Sequence, residues 1–147
     1  MQLIEIGQLG DLAAIVEDDF IASAVEATLE HYGRVGFAPP WIGYVGLRNQ
    51  TPVGVCGFKG RPREQRVEIA YGTAPGLEGQ GIATAMAREL VRIAQVADPQ
   101  LTILAQTLPV ESASTTILTR LGFEKRRVVD HPEDGPVWEW ELPPLPS

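Results

Sequence analysis

The chain has 147 residues, of which 44% are hydrophobic and 21% are charged, and this predicts one globular domain over residues 1–147 with room for a core. The formal net charge is −7, so nucleic acid is not an expected partner, because phosphate binding needs a basic face. No apolar run approaches the roughly 18 residues of a membrane span, so no membrane partner is expected. The single cysteine, Cys56, allows no intrachain disulfide, and "MQLIEIGQLGDL" shows no secretory signal. A cytoplasmic location is therefore expected.

The N-terminal half predicts a strand, a helical segment and a β-hairpin. Residues 2–6 (QLIEI) form a short strand, and residues 10–33 are helical, in one or two helices that stop at Gly33. The runs at 41–48 and 53–60 are rich in aromatic and β-branched residues and flank the turn-forming NQTP, which favours a hairpin. The basic stretch KGRPREQR that follows is interpreted as a solvated loop between strands.

The C-terminal half mixes strands and helices. The strand RVEIAYGTAP ends at Pro75, and the glycine-rich segment GLEGQGIATAM follows at 76–86. An amphipathic helix comes next, because apolar residues recur at helical spacing: Ile82, Met86, Leu90, Ile93 and Ala97. The remaining predicted elements are a strand, a short helix and two strands: 101–109, 111–123, 124–130 and 135–142. Gly122 is expected to end the short helix in a left-handed conformation.

The resulting order is β-α-α-β-β-β-α-β-α-β-β, which is neither strict βαβ alternation nor all-β. It predicts an α/β (α+β) fold with a mixed, mostly antiparallel central sheet of about seven strands and helices on both faces.

Three glycines, Gly76, Gly79 and Gly81, precede the amphipathic helix. A Walker-type loop is excluded because no lysine lies between residues 60 and 124, and a dinucleotide fingerprint is excluded because Thr84 stands where its third glycine would be. What remains is a helix start with small residues, whose free N–H groups attract an anion. From composition alone, the segment is either a pyrophosphate cradle or a plain capping turn.

The segment VEIAYGTAPGLEGQGIATAMARELVRIA resembles the acyl-CoA signature of the GNAT superfamily of N-acetyltransferases, with Gly81 and Ala83 at its two small positions. The segment TLPVESASTTILTRLGF resembles a second family segment, with these matching residues: Ser114, Leu118, Leu121, Gly122 and Phe123. The predicted element order is also that of the family over nearly the whole chain. The nearest branch resembles the enzymes that acetylate ribosomal-protein N-termini.

The resemblance implies acetyl-CoA as cosubstrate and no metal. It places the cosubstrate against these residues: Tyr71, Gly72, Thr73, Gly79, Gln80, Gly81, Ile82, Ala83, Thr84, Glu111 and Ser114. Two positions depart from the family pattern. Glu78 replaces the usual Arg or Gln, and we expect its side chain to point to solvent while the backbone binds. Glu111 replaces the usual Asn, so either the cosubstrate affinity is reduced or the acyl donor differs.

In this family an amine attacks the thioester directly, which requires a proton acceptor, an oxyanion donor and a donor for the leaving thiolate. Glu68 is the candidate proton acceptor, because strand alternation gives it small neighbours on its own face. An ordinary solvated strand glutamate is the alternative. Many members of the family use a tyrosine on the late helix as donor to the leaving thiolate. Since no tyrosine follows Tyr71 in this chain, the resemblance implies Ser114 as the substitute donor. It is alternatively the capping serine of its helix, and both roles are compatible.

The resemblance also implies a gap in the sheet, between the strand that ends at Thr73 and the strand that holds Ala105 and Gln106. In the family, pantetheine lies in this gap like an added strand. The expected oxyanion donor is a backbone N–H near 71–73.

The remaining reactive side chains indicate no second site. Cys56 lies inside an apolar strand and is interpreted as a small buried residue. With one cysteine and the distant His31 and His131, no metal cluster is expected. No nucleophile elbow is present.

The favoured function is acetyl transfer from acetyl-CoA to a primary amine, either a protein N-terminus or a small molecule, in a homodimer. Three alternatives stay open: a non-catalytic acyl-CoA-binding domain, an enzyme with a longer acyl donor, and a partner-binding module whose glycine loop is only a turn. Acidic residues of the first helices, including Glu26 and Glu30, either attract a cationic amine or form a solvated helix face.

Overall fold

The protein is described from a computed structural model, which covers residues 1–7 and 18–146. The strands and helices are β1 (Gln2–Glu5), α1 (Asp19–Val35), β2 (Gly43–Arg48), β3 (Thr51–Phe58), β4 (Arg66–Thr73), α2 (Ile82–Ala97), β5 (Thr102–Thr107), α3 (Ala113–Arg120), β6 (Glu124–His131) and β7 (Gly135–Leu142). The helical segment predicted from residue 10 is confirmed from Asp19 onward, and its earlier part lies outside the described residues. None of the described helices has the length and apolar character needed to cross a membrane.

All seven strands form one sheet in the order β1-β2-β3-β4-β5-β7-β6. Neighbouring strands are antiparallel except for β4 and β5, which are parallel. Phe20 of α1 lies over Gly72 of β4, whereas Met86 of α2 lies over Gly54 of β3. Because Gly54 pairs with Thr73, the neighbour of Gly72, the two helices cover opposite faces. The predicted fold class is confirmed.

Helix ends follow local capping chemistry. α1 continues past the predicted stop at Gly33 and ends at Gly36, which has φ 89° and donates its N–H to Tyr32 O at 2.7 Å. Gly33 is exposed inside the helix, where a glycine is tolerated at a cost of about 1 kcal/mol. α3 ends as expected. Gly122 has φ 96°, and Phe123 donates its N–H to the carbonyl of Leu118 at 2.9 Å.

The core is densest between α2 and the sheet. The buried face of α2 consists of Ile82, Met86, Ala87, Leu90 and Ala94. Ala94, rather than the predicted Ala97, continues this face, because Ala97 in the last turn is exposed. The start of α2 is therefore held firmly beside the end of β4.

Ion pairs form a row across the sheet from β4 to β6. Arg66 on β4 reaches over β5 and donates to Glu141 on β7 at 2.7 Å. Arg127 on β6 donates to the same carboxylate at 2.9 Å and also to Glu139. The hydrogen bond from Arg66, followed by that from Arg127, holds the pKa of Glu141 below its usual range. Since Arg66 lies where β4 and β5 pair, this row joins the two halves of the sheet.

We expect Glu141→Gln to lower the free energy of unfolding by about 1 kcal/mol at pH 7, because both arginines lose a charged partner. A carboxyl whose pKa is lower in the folded state stabilises the fold above its unfolded pKa, and this contribution is lost as the pH falls through the folded pKa. The difference between wild type and variant should therefore narrow as the pH falls from 5 to 3, measured by urea denaturation. Glu124→Gln, which breaks the exposed pair with Arg126 on β6, is the matched control. A difference that does not change with pH would contradict this role.

Candidate active site

The sheet opens between its two parallel strands. β4 and β5 pair only from Arg66 with Thr102 to Glu68 with Leu104. Beyond that point β4 stays paired with β3, and β5 stays paired with β7, to the ends of both strands. The facing edges at 69–73 and 105–107 consequently leave backbone N–H and C=O groups without strand partners. This is the gap that the family resemblance implies, and an extended ligand can pair with such edges.

The glycine loop leads from the open end of β4 into α2. Gly81 is the N-cap of α2, has φ 78° and provides no side chain to cap the helix. Gly76 and Gly79 also have positive φ, 91° and 79°. A Cβ added at any of the three glycines would meet no neighbouring atom within 4 Å. The loop is thus uncrowded at these three glycines, beside a helix start whose free N–H groups and dipole favour an anion.

The side chains of the loop turn away from this helix start. The Glu78 carboxylate is exposed and accepts hydrogen bonds from Gly76 N at 3.0 and 3.2 Å, so it folds back onto its own loop. Gln80 accepts from Arg48 Nη2 at 2.6 Å. Ile82 is buried in the core at 2% exposure, which leaves only its backbone at the surface of the site. Ala83 and Thr84 are half-buried in the first turn.

Glu68 lies at the point where the pairing of β4 and β5 ends. Its neighbours Val67 and Ile69 are buried in the core, so Glu68 projects from the opposite face, which carries α1. Its side chain is 20% exposed, and Lys59 Nζ is 2.5 Å from Oε2. Oε2 is buried and receives no hydrogen bond of normal geometry from the described residues, so the Lys59 ammonium is its close polar contact there. An amine that passes its proton to Glu68 would therefore approach the carboxylate beside Lys59.

Two cavities lie along the α1 face of β4. One, of about 680 Å³, is bounded by the end of α1, the β3–β4 hairpin, Glu68 and Leu104. The other, of about 460 Å³, lies between α1 and the strands β3 and β4, and reaches Gly72. Lys59 lines both cavities. The Glu68 face of β4 is thus accessible along much of its length.

Tyr71 lies on the other face of β4 and brings a phenol to the edge of the gap. Burial, the larger effect, raises the pKa of Tyr71, and the neighbouring Ser114 hydroxyl at the start of α3 opposes it. The phenol therefore stays protonated at neutral pH and can donate a proton or hydrogen bond. The structure brings the two predicted residues Tyr71 and Ser114 together across the gap.

The start of α3 is capped by a different serine from the one considered in the sequence. Ser112 is the N-cap: it accepts from Thr115 N at 3.4 Å and donates its own N–H to Thr115 Oγ1 at 2.9 Å. The capping interpretation of Ser114 is therefore wrong. The Glu111 carboxylate accepts from Thr115 Oγ1 at 3.1 Å, so it too is engaged in the helix start.

Other reactive side chains have structural surroundings. Cys56 is 7% exposed, and burial raises its pKa to about 12, which confirms a buried thiol rather than a nucleophile. His31 Nε2 lies 2.9 Å from Lys59 O and links α1 to the β3–β4 hairpin. In the described part of the chain, no group of three His, Cys, Asp or Glu residues could hold a metal.

Sequence reasoning missed two features of the site. The stretch KGRPREQR is the largely exposed β3–β4 hairpin, as interpreted from the sequence, but its position beside Glu68, where Lys59 N donates to Glu68 O at 2.9 Å, was not foreseen. Its density of arginines was the available signal. No sequence signal indicated that Tyr71 and Ser114 lie together, because this contact joins β4 to α3 across a gap.

A mixed sheet that opens between parallel strands, beside a glycine loop at a helix start, defines the acetyltransferase class of α/β folds. The sequence profile of the acetyltransferase (GNAT) domain family matches residues 14–124, and the chain belongs to this family. No curated protein matches the sequence of this chain significantly.

Solved structures share the fold of this chain. A ribosomal-protein-alanine N-acetyltransferase from Brucella melitensis superposes with a TM-score of 0.67 at 19% identity, over 97% of this chain and 99% of that one. An N-acetyltransferase from Staphylococcus aureus Mu50 gives 0.67 at 18% identity, over 97% and 96%. The aminoglycoside acetyltransferase AAC(6')-Ib in complex with coenzyme A gives 0.67 at 19% identity, over 97% and 92%. At these identities the similarity concerns the fold alone.

Proposed function

We propose that the protein transfers an acetyl group from acetyl-CoA to a primary amine, by direct attack of the amine on the thioester. The observation that carries the proposal is the arrangement along β4. Its start holds the half-buried Glu68 carboxylate, its middle has an unpaired edge, and its end leads to an open helix start. A direct transfer needs these three features in this order.

The residues of the loop fit a pyrophosphate. Three positive-φ glycines with open space at Cβ, and an N-cap without a side chain, let phosphate oxygens approach the first N–H groups of α2. Gly79, Gln80, Gly81 and the backbone at 82–84 would hold this group. The gap between β4 and β5 would hold the pantetheine arm, with a backbone N–H near 71–73 as oxyanion donor. Acetyl-CoA supplies the activated acyl group.

The acceptor side of the reaction is assigned to Glu68. The ammonium proton passes to the Glu68 carboxylate, directly or through a water, and the free amine forms the new C–N bond. The tetrahedral intermediate then collapses and the C–S bond breaks. The thiolate receives a proton from the Tyr71 phenol, with Ser114 orienting that phenol or relaying the proton. The second proton of the attacking nitrogen leaves to solvent, and the phenol regains a proton from solvent.

A non-catalytic acyl-CoA-binding domain was the main alternative, with Glu78 and Glu111 as its signs. Both carboxylates are hydrogen-bonded within their own segments. Neither therefore needs to oppose a phosphate, and the structure gives this alternative little support.

The first prediction concerns the loop. Gly81→Glu places a carboxylate at the helix start and should weaken acetyl-CoA binding about tenfold or more, measured by calorimetric titration. Gly135→Glu is the control, since Gly135 also has positive φ, 72°, and open space at Cβ, but lies in the β6–β7 turn. Both substitutions should lower the free energy of unfolding by a similar amount, about 1 kcal/mol. If both variants bind acetyl-CoA with the same dissociation constant, the loop is excluded as the phosphate site.

A second prediction concerns the carboxylate. Glu68→Gln is nearly isosteric and should lower kcat about 10²- to 10⁴-fold by removing the proton acceptor. The dissociation constant of acetyl-CoA should stay within about twofold, because Glu68 lies far from the loop along β4. Steady-state kinetics and titration of the same preparation would measure both. Unchanged kcat would remove Glu68 from the mechanism.

A third prediction concerns the leaving group. Tyr71→Phe should lower kcat by about tenfold or more while acetyl-CoA still binds. Ser114→Ala should lower kcat by a smaller factor. In the Tyr71→Phe background it should lower kcat no further if the Ser114 hydroxyl acts through the phenol. Tyr44→Phe is the control, because Tyr44 is buried and donates to Pro40 O at 2.7 Å, away from the gap. Additive losses in the double variant would argue against a shared role.

We also propose a homodimer in the cytoplasm. β6 is an edge strand and exposes Val128 at 61%, so it offers a free edge and an apolar side chain to a second subunit. Sedimentation equilibrium would measure the oligomeric state, and a monomer at all concentrations would exclude the dimer. The buried reduced thiol of Cys56 is compatible with a reducing compartment, and cell fractionation tests that location.

A further inference from the structure

The cavity in front of Glu68 is cationic although the chain as a whole is acidic. The formal net charge is −7, yet the cavity lining contains five basic side chains: Arg34, Lys59, Arg61, Arg63 and Arg66. Among the described residues of that lining, Glu68 is the acidic side chain. Such a local reversal of charge indicates a ligand of the opposite sign.

Two of the five cations have partners of their own. Lys59 pairs with Glu68, and Arg66 pairs with Glu141 outside the lining. Arg34, Arg61 and Arg63 are exposed and form no salt bridge with any carboxylate in residues 1–7 or 18–146. The surplus positive charge of the cavity therefore comes from three guanidinium groups.

These three groups come from two different elements. Arg34 lies in the last turn of α1, whereas Arg61 and Arg63 lie in the β3–β4 hairpin. The hairpin closes on the helix end, since Arg61 Nη2 is 3.4 Å from the position of a Cβ on Gly36. The cluster is thus built by tertiary contact rather than by one run of charge.

The phosphates of the cosubstrate do not account for this charge. The cavity lies at the start of β4, beside Glu68, whereas the glycine loop follows the end of that strand. A strand of 8 residues spans about 25 Å at roughly 3.3 Å per residue. A pyrophosphate on the loop would therefore leave the three guanidinium groups without a partner.

We infer that the acceptor amine is anionic: it carries one or more carboxylate groups close to the amine that faces Glu68. This inference rests on the proposed function, because Glu68 is taken to accept the amine proton. Guanidinium groups bind carboxylates through paired hydrogen bonds, so they would hold the acceptor while Glu68 receives its ammonium. The acidic residues Glu26 and Glu30, considered in the sequence as attracting a cationic amine, are exposed on α1 and do not line the cavity.

The test compares acceptors that differ only in charge. Three tetrapeptides with the same N-terminal alanine would carry two acidic, two amide or two lysine side chains after it, and free glutamate would represent a small acidic acceptor. We expect kcat/KM for the acidic peptide to exceed that for the amide peptide by about tenfold, mainly through KM. That advantage should shrink between 50 and 500 mM KCl, as expected for exposed charges. A preference for glutamate over all peptides would assign the same chemistry to a small molecule.

Variants of the cavity identify the groups responsible. Arg61→Gln and Arg63→Gln should each raise KM for the acidic acceptor about five- to tenfold, leave KM for the amide peptide unchanged and leave acetyl-CoA binding unchanged. Arg120→Gln removes the same charge from an exposed position in the last turn of α3 and should change none of these values.

Equilibrium binding separates this inference from the proposed reaction. Titration of the acidic peptide into the CoA-loaded protein should show binding that Arg61→Gln weakens and Arg120→Gln does not. If no amine is acetylated but this binding is seen, the reaction is wrong and the anion site stands. If amines are acetylated with equal or better use of the lysine peptide, or if the cavity variants weaken acetyl-CoA instead, the inference is overturned while the reaction stands.

Discussion

The short pairing of β4 with β5 is the constraint on which the rest of the site depends. β3 holds β4 in register as far as Thr73, and β7 holds β5 as far as Thr107, so neither strand can turn to close the gap. Met86 of α2 packs against Gly46 and Gly54. A Cβ added at either glycine would lie within 3.0 Å of the Met86 side chain. The gap thus has two rigid edges, whose backbone groups would be costly to bury without a partner.

Positive and negative side chains are distributed unevenly over the molecule, and the net charge does not show this. Arg66 and Arg127 both pair with Glu141. These pairs neutralise charge on the part of the sheet that lies next to the cationic cavity. Because Arg66 is engaged there, it contributes little net charge to the cavity. Acidic side chains outside the lining of the cavity lower the total charge. The net charge of the chain therefore gave no information about the charge of a cavity of this size.

The sequence predicted the elements well because their signals are local. Period-two alternation, the apolar stripe of α2 and the Gly122 helix end each depend on residues within a few positions of one another, and family resemblance supplied the topology. The interpretation of Ser114 as a capping serine failed, because Ser112 fits the composition equally well and only backbone geometry distinguishes the two. The cluster of Arg34 with the β3–β4 hairpin was beyond local reasoning, since contact between distant segments creates it.

The geometry of β4 suggests why one strand can serve both proton transfers of the proposed reaction. Successive side chains of a strand project from opposite faces, so Glu68 faces α1 and the cavities, while Tyr71 faces the core and Ser114. An amine entering on the α1 face would lose its proton there, and the thiolate would be protonated from the other face. Proton acceptor and proton donor are then separated by the backbone of β4 itself.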